Sequence, residues 1–225
     1  MGLPCTVAGL NVRLLYMNPN STEAMTDSMV SVARETAPGV EVLGWTNHLG
    51  PPSIQGPEDG EAAVEGLLAL LPEARAAAAD AIVIGCFDDT GLGPLQAAAH
   101  CPVIGIGQAA MSLASLQSDR FGIVTTLDVS VPVITTNVDC YGFRRACVGV
   151  FASGLPVLEV ERGGQDVEDR LAMAIANAEV AGADAVVLGC AGMSRLRRRL
   201  SARTGSLLID GVVASAFISQ ALACR

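Results

Sequence analysis

Short runs of Val, Ile and Leu alternate along this chain with longer, Ala-rich stretches whose apolar positions recur every three or four residues. Continuous apolar runs of four to six residues predict strands buried on both faces, and the periodic stretches predict helices that cover them. Strands are expected at 12–17, 40–45, 81–85, 102–106, 121–125, 157–161, 185–189 and 207–209. After the first strand, Asn18-Pro19-Asn20 reads as a turn and Ser21 as the N-cap of a helix running to Thr36, where Pro38-Gly39 stops it. Further helices are expected at 61–79, 108–117, 130–140, 165–182 and 212–223. Residues 48–60, with Gly-Pro-Pro and Gly-Pro, form a loop long enough to be functional. Strands alternating with helices indicate an α/β fold with parallel sheets.

The pattern repeats. Ala79-Asp-Ala-Ile-Val-Ile-Gly-Cys86 aligns with Ala183-Asp-Ala-Val-Val-Leu-Gly-Cys190, six identities in eight at an offset of 104 residues. The same offset lays Val103-Ile104 on Leu207-Leu208 and Gly107 on Gly211. A period near half the chain predicts two pseudo-symmetric α/β lobes with the active site in the cleft between them. The first lobe is placed at 1–107 and the second at 108–211, with a C-terminal helix, 212–225, returning to the first.

Composition narrows the chemistry. All 14 basic residues are arginine, which removes Schiff-base catalysis, pyridoxal phosphate anchored on lysine and the lysine of a phosphate-binding P-loop. A net charge of −9 and a pI near 4.6 argue against nucleic acid as a partner. His48 and His100 have no ligand spacing around them, so no metal site is expected. Seven cysteines without a CxxC pair suggest free thiols in a reducing cytoplasm. No apolar run reaches membrane-spanning length, and the first ten residues lack a cationic secretory leader. Gly2 and Thr6 fit a myristoylation pattern too loose to carry weight.

Cys86 and Cys190 each follow a strand and a glycine, at the carboxyl end of a sheet, where ligands of open α/β folds bind. A thiol there meets unpaired N–H groups that favour its thiolate, so a pKa modestly below the free value is expected. Two thiols facing one cleft from opposite sides can invert a stereocentre beside a carbonyl. One removes the proton, the other returns one to the opposite face, and backbone N–H groups stabilise the enolate.

Over nearly its whole length the chain resembles the hydantoin and allantoin racemases of the aspartate/glutamate racemase superfamily. The resemblance rests on Asn18-Pro-Asn-Ser-Thr22, Ser53-Ile54 with Gly56, and Gly85-Cys-Phe-Asp-Asp89. It continues through Pro102-Val-Ile-Gly-Ile-Gly107 leading into Ala109-Ala-Met111, and Val124-Thr-Thr-Leu127. Gly189-Cys-Ala-Gly-Met193 and Ile209-Asp-Gly-Val212 complete it. It implies a cofactor-independent racemase, a homo-oligomer acting on a small-molecule cyclic ureide, with Cys86 and Cys190 as the acid–base pair. It also implies a substrate pocket formed by Asn18, Ser53, Phe87, Asp88, Thr125, Thr126, Ala191 and Gly192, the last two through backbone N–H. Gln55 and Gln108 stand where the family usually has Glu, and Thr90 where it usually has Pro.

Other readings compete. Gly105-Ile-Gly107-Gln-Ala-Ala110, with Asp128 about twenty residues on, matches a dinucleotide fingerprint, although its mid-chain position and the paired cysteines speak against one. Arg195, Arg197, Arg198, Arg199 and Arg203 read as a solvated helix face. One of Asp88 and Asp89 is expected to cap the following helix or to orient Cys86 or its substrate, with Asp210 as a counterpart near the cleft. Within the superfamily, maleate-type isomerisation, amino-acid racemisation or a non-catalytic binder are the alternatives.

Overall fold

The computed structural model describes residues 12–223 of the 225. Gly2, Thr6, Cys5 and Cys224, named above, lie outside them. Among the described residues, eight strands form two four-stranded parallel sheets. The first contains β1 (Arg13–Asn18), β2 (Glu41–Thr46), β3 (Ala81–Ile84) and β4 (Val103–Gly105), in the order β2-β1-β3-β4. The second contains β5 (Phe121–Thr125), β6 (Cys147–Ala152), β7 (Ala185–Leu188) and β8 (Leu208–Asp210), in the order β6-β5-β7-β8. The orders are identical, so the sequence repeat is a repeat of topology. The central strands β3 and β7 are buried along their whole length, as their unbroken apolar runs require.

The helices of the first half are α1 (Glu23–Thr36), α2 (Pro57–Ala69), α3 (Leu71–Ala76), α4 (Leu92–Ala98) and α5 (Ile106–Gln117). Those of the second are α6 (Val131–Cys140), α7 (Val157–Arg162), α8 (Gln165–Val180), α9 (Arg197–Thr204) and α10 (Gly211–Ala223). The helices that follow β4 and β8 are exchanged: α5 packs against β7 and β8, and α10 against β1 and β3. Tyr16, fully buried in β1, donates its hydroxyl to the Val212 carbonyl at 3.2 Å and shares a 2.9 Å hydrogen bond with Ser215, which ties α10 to the first sheet. Where α5 and α10 meet, a Cβ on Gly211 would lie 2.6 Å from the Ile106 carbonyl oxygen, so glycine sets the approach of the two helices.

Several expectations need correction. Residues 157–161 are not a strand but most of α7: Val157 and Val160 are buried one helical turn apart, whereas strand alternation would have put Glu159 and Glu161 on the same face as Val157. The strand of that region is β6, a partly exposed edge that starts ten residues earlier, at Cys147. Its register shifts opposite Phe121/Gly122, and Gly149 has φ +157°, which interrupts the strand signature. The helix expected at 61–79 starts earlier, at Pro57, and breaks at Leu70 because Pro72 opens α3 without an amide donor. Thr22, not Ser21, is the N-cap of α1.

Candidate active site

The two halves meet at the carboxyl ends of β3 and β7. Gly85 donates its N–H to the Met17 carbonyl at 2.8 Å and Gly189 donates to that of Val124 at 2.7 Å, the same bond in each half. A Cβ on Gly189 would lie 2.6 Å from the Val124 oxygen, and one on Gly85 would meet the Met29 side chain at 2.6 Å. Glycine is therefore what lets each strand end hug its neighbour and deliver the next residue, Cys86 or Cys190, to the interface. Both sulfurs line one cavity of about 30 Å³. That is room for a water or two, at roughly 10–15 Å³ each, and not for a five-membered ring.

Of the residues expected around it, Phe87, Asp88, Thr126 and Ala191 line this cavity with the two cysteines. Asn18, Ser53, Thr125 and Gly192 do not. Asn18 is buried below, its Nδ2 bonded to Asn20 Oδ1 (3.0 Å) and Thr26 Oγ1 (3.0 Å) and its Oδ1 accepting the Asn20 N–H (3.2 Å). It braces Asn20, which is the asparagine that reaches the cavity. Ser53 is buried in the loop before α2, and its neighbour Ile54 lines the cavity instead. Thr125 turns its hydroxyl onto the Gly189 carbonyl at 3.3 Å. The Gly192 N–H serves Cys190 rather than the pocket. Met25, Ser130, Val157 and the glycines Gly85 and Gly189 complete the lining with Asn20 and Ile54. A signal existed for Asn20, since Pro19 must turn the chain between the two asparagines. None existed for Met25 or Val157, which look like ordinary core residues in sequence.

The thiols are not lowered as the strand-end position suggested. Burial pushes Cys86 well above the usual thiol range, the neighbouring Asp88 carboxylate adds to this, and the Thr90 hydroxyl and the Asp88 N–H act the other way. Burial also pushes Cys190 up to about 12, against the pull of the Gly192 N–H, with smaller contributions from Glu161 and Asp88 raising it and from the Met193 N–H lowering it. The donors expected from the turn are in place, but desolvation by burial outweighs them. Asp88 is itself raised to about 6 by burial, against a hydrogen bond from Ser130.

Asp89 does not cap α4, the helix that follows it. Its carboxylate crosses to the N-terminus of α5, accepting N–H bonds from Gly107 (2.9 Å) and Gln108 (2.7 Å) and the Tyr141 hydroxyl (2.7 Å). The two glycines of the apparent dinucleotide fingerprint thus flank a carboxylate of the protein's own, seated where a phosphate would have to bind. Asp210 does the same for α10: Oδ1 accepts from the N–H groups of Val212 (2.8 Å) and Val213 (3.2 Å) and from the Ser194 hydroxyl (2.9 Å). The arginine cluster is largely ion-paired, Arg195 with Glu161, Arg199 with Glu168 and Arg203 with Asp169. No described helix is long and apolar enough to cross a membrane.

The Asp/Glu/Hydantoin racemase family model matches residues 14–217. The chain is 44% identical to a hydantoin racemase of Rhizobium meliloti, over 92% of this chain and 86% of that one. Its fold is similar to that of an allantoin racemase from Klebsiella pneumoniae, with a TM-score of 0.89 and 37% identity over 94% of this chain and 87% of that one. An allantoin racemase from Pseudomonas fluorescens superposes with a TM-score of 0.83 at 32% identity, covering 94% and 90% of the two chains.

Proposed function

Because this chain belongs to the Asp/Glu/Hydantoin racemase family and is a racemase, we propose that it inverts the stereocentre of 5-substituted hydantoins or of allantoin, by proton transfer between Cys86 and Cys190. The observation that carries this reading is that two thiols at equivalent positions of a repeated fold line one cavity.

The reaction needs no other redox or covalent partner. One cysteine, as thiolate, removes the proton from the ring carbon between the carbonyl and the ring nitrogen. The electron pair left on carbon moves into the carbonyl, forming the enolate. The opposite cysteine, as thiol, then delivers its proton to the other face, leaving the protonation states of the two sulfurs exchanged. The opposite enantiomer runs the sequence backwards and restores them.

Geometry and electrostatics bear on this in two ways. The Asp88 N–H faces the Cys86 sulfur, and the Gly192 and Met193 N–H groups face that of Cys190, so each thiolate has a fixed donor waiting. The leading cause that raises both thiols is loss of solvent, and a polar ring or water admitted between the sulfurs relieves it. Asn20, held by Asn18, and the Thr126 hydroxyl are the polar side chains best placed to meet the ureide.

The test is polarimetry on single enantiomers of 5-methylhydantoin and of allantoin, with a no-enzyme control for spontaneous racemisation. Rotation should decay to zero, and the decay should vanish in both Cys86→Ser and Cys190→Ser. A single variant that racemises near the wild-type rate would rule out transfer between two thiols.

A further inference from the structure

The loop that leads away from Cys86 is gripped from the other half of the molecule. Ser130, just before α6, donates to Asp88 Oδ2 at 3.3 Å. Asn137, within α6, donates from Nδ2 to the Asp88 carbonyl at 2.9 Å. Tyr141, at the end of the helix, donates its hydroxyl to Asp89 Oδ2 at 2.7 Å. Spacings of seven and four residues put the three on one helical face. α6 itself packs against β6, and its Ile134 and Val138 are buried in the same cluster as Phe121 and Ile123 of β5, so the grip is anchored in the second sheet.

The gripped loop is held from both halves of the molecule. Asp89 has φ +52°, a left-handed conformation that aspartate adopts at modest cost, and its carboxylate is held by Gly107 and Gln108 from one half and by Tyr141 from the other. Cys190 lies on the equivalent loop of the second half. It opens a 3₁₀ turn, Ala191–Leu196, whose own N–H groups at Gly192 and Met193 face the sulfur. Both loops carry the same turn bond, from the Asp89 N–H to the Cys86 carbonyl at 3.1 Å and from the Met193 N–H to the Cys190 carbonyl at 3.0 Å, and the Cys86 loop is bonded in addition by side chains of the other half.

We infer that Asn137 and Tyr141 are positioning residues for Cys86, fixing from the second half of the molecule the loop whose N–H faces its sulfur. The inference rests on the reading of Cys86 as an acid–base group. It predicts an effect confined to one of the two proton transfers. Enantiomers have equal free energies, so kcat/KM must fall equally in both directions, but the isotope effects need not stay equal. Where Cys86 removes the proton, that step becomes more limiting and the isotope effect of a deuterated stereocentre grows. In the other direction Cys190 removes it, and the effect shrinks.

The experiment measures kcat, KM and the isotope effect for each enantiomer of 5-methylhydantoin and of allantoin, deuterated at the stereocentre, in wild type, Asn137→Ala, Tyr141→Phe and Cys86→Ser. Displacing a catalytic group by a fraction of an ångström should lower kcat about tenfold in Asn137→Ala, with KM within about twofold, and less in Tyr141→Phe. The isotope effects of the two enantiomers should move in opposite directions. Tyr141→Phe keeps the ring and its packing, so it decides the matter if Asn137→Ala fails to fold. Unchanged kcat in both folded variants, or a fall in kcat with isotope effects that move together, overturns the inference while leaving the role of Cys86 intact. Racemisation by Cys86→Ser at the wild-type rate, or none by wild type on either ring, overturns the underlying reading and the inference with it.

Discussion

The carboxylate of Asp89 occupies the space that a side chain on Gly105 would need: a Cβ built there would fall on Asp89 Oδ1 and Cγ. Gly105 belongs to the last strand of the first sheet and Asp89 to the loop beyond Cys86, so absence of a side chain at one fixes the seat of the other. Gly105→Ala should expel the carboxylate from the α5 N-terminus, at an overpacking cost of about 1–3 kcal/mol. The displaced loop should then lower kcat by at least tenfold, by the misplacement argument above. Thermal unfolding together with kinetics checks this; a variant as stable and as active as wild type would show that the seat is dispensable.

The buried carboxylates set a pH dependence whose sign is unusual. Asp88 and Asp89 are raised by burial, to about 6 and about 7. Between the ordinary carboxylate value near 4 and these values, the folded protein binds more protons than the unfolded chain, so these two groups make stability fall as pH rises from about 4 to 7 and level off above. In Asp88→Asn the fall between pH 4 and 6 should shrink, as read by denaturant unfolding across that range. The same change removes a negative charge that raises Cys86, so the acidic limb of kcat/KM against pH should move to lower pH. A limb that stays in place would mean that Asp88 does not govern the thiol.

Why some of this was legible in the sequence and some not follows from where the information lies. The two sheets and the pair Cys86 and Cys190 were readable because buried parallel strands leave unbroken apolar runs, and the duplicated Ala-Asp-Ala…Gly-Cys segment shows twice. β6 was missed because an edge strand is only half-buried and Gly149 breaks its pattern. Residues 157–161 misled because a run rich in Val fits a strand until the i, i+3 burial of Val157 and Val160 is seen. Of the two asparagines flanking Pro19, Asn20 lines the cavity and Asn18 is bonded to it and to Thr26, a partner eight residues on that no local pattern announces. The seat of Asp89 at α5 joins residues from three elements, and no local pattern encodes it.

Thr90 stands beside Cys86, buried, and its hydroxyl has no partner by hydrogen-bond geometry. Where the sulfur carries negative charge, this hydroxyl is a ready donor, and it lowers the thiol. Thr90→Val keeps the shape and removes the donor, so Cys86 should titrate higher and kcat/KM at neutral pH should fall several-fold, on the order of 1 kcal/mol for one hydrogen bond. Alkylation of Cys86 by iodoacetamide against pH, followed on the peptide containing it, should show the midpoint displaced upward. An unmoved midpoint would mean that the hydroxyl serves packing alone.

Gln55 links the two halves beside the cavity. Its Oε1 accepts the N–H of Val157, at the start of α7, at 3.1 Å, while its own N–H is held by Asp59 at 2.9 Å. The residues on either side of this bond, Ile54 in one half and Val157 in the other, both line the cavity, so the bond draws the walls together. With about 30 Å³ between them, the walls leave too little room for a ring, so binding one widens the cavity. Gln55→Ala should loosen the closure, raising the exchange rate of the Val157 amide and increasing KM several-fold, with a stability loss of about 1 kcal/mol, that of a single net hydrogen bond. In Gln55→Glu a carboxylate can accept the same N–H, so closure should persist and KM should stay within about twofold of wild type at neutral pH. If Gln55→Ala binds and turns over substrate as the wild type does, closure depends on contacts other than this bond.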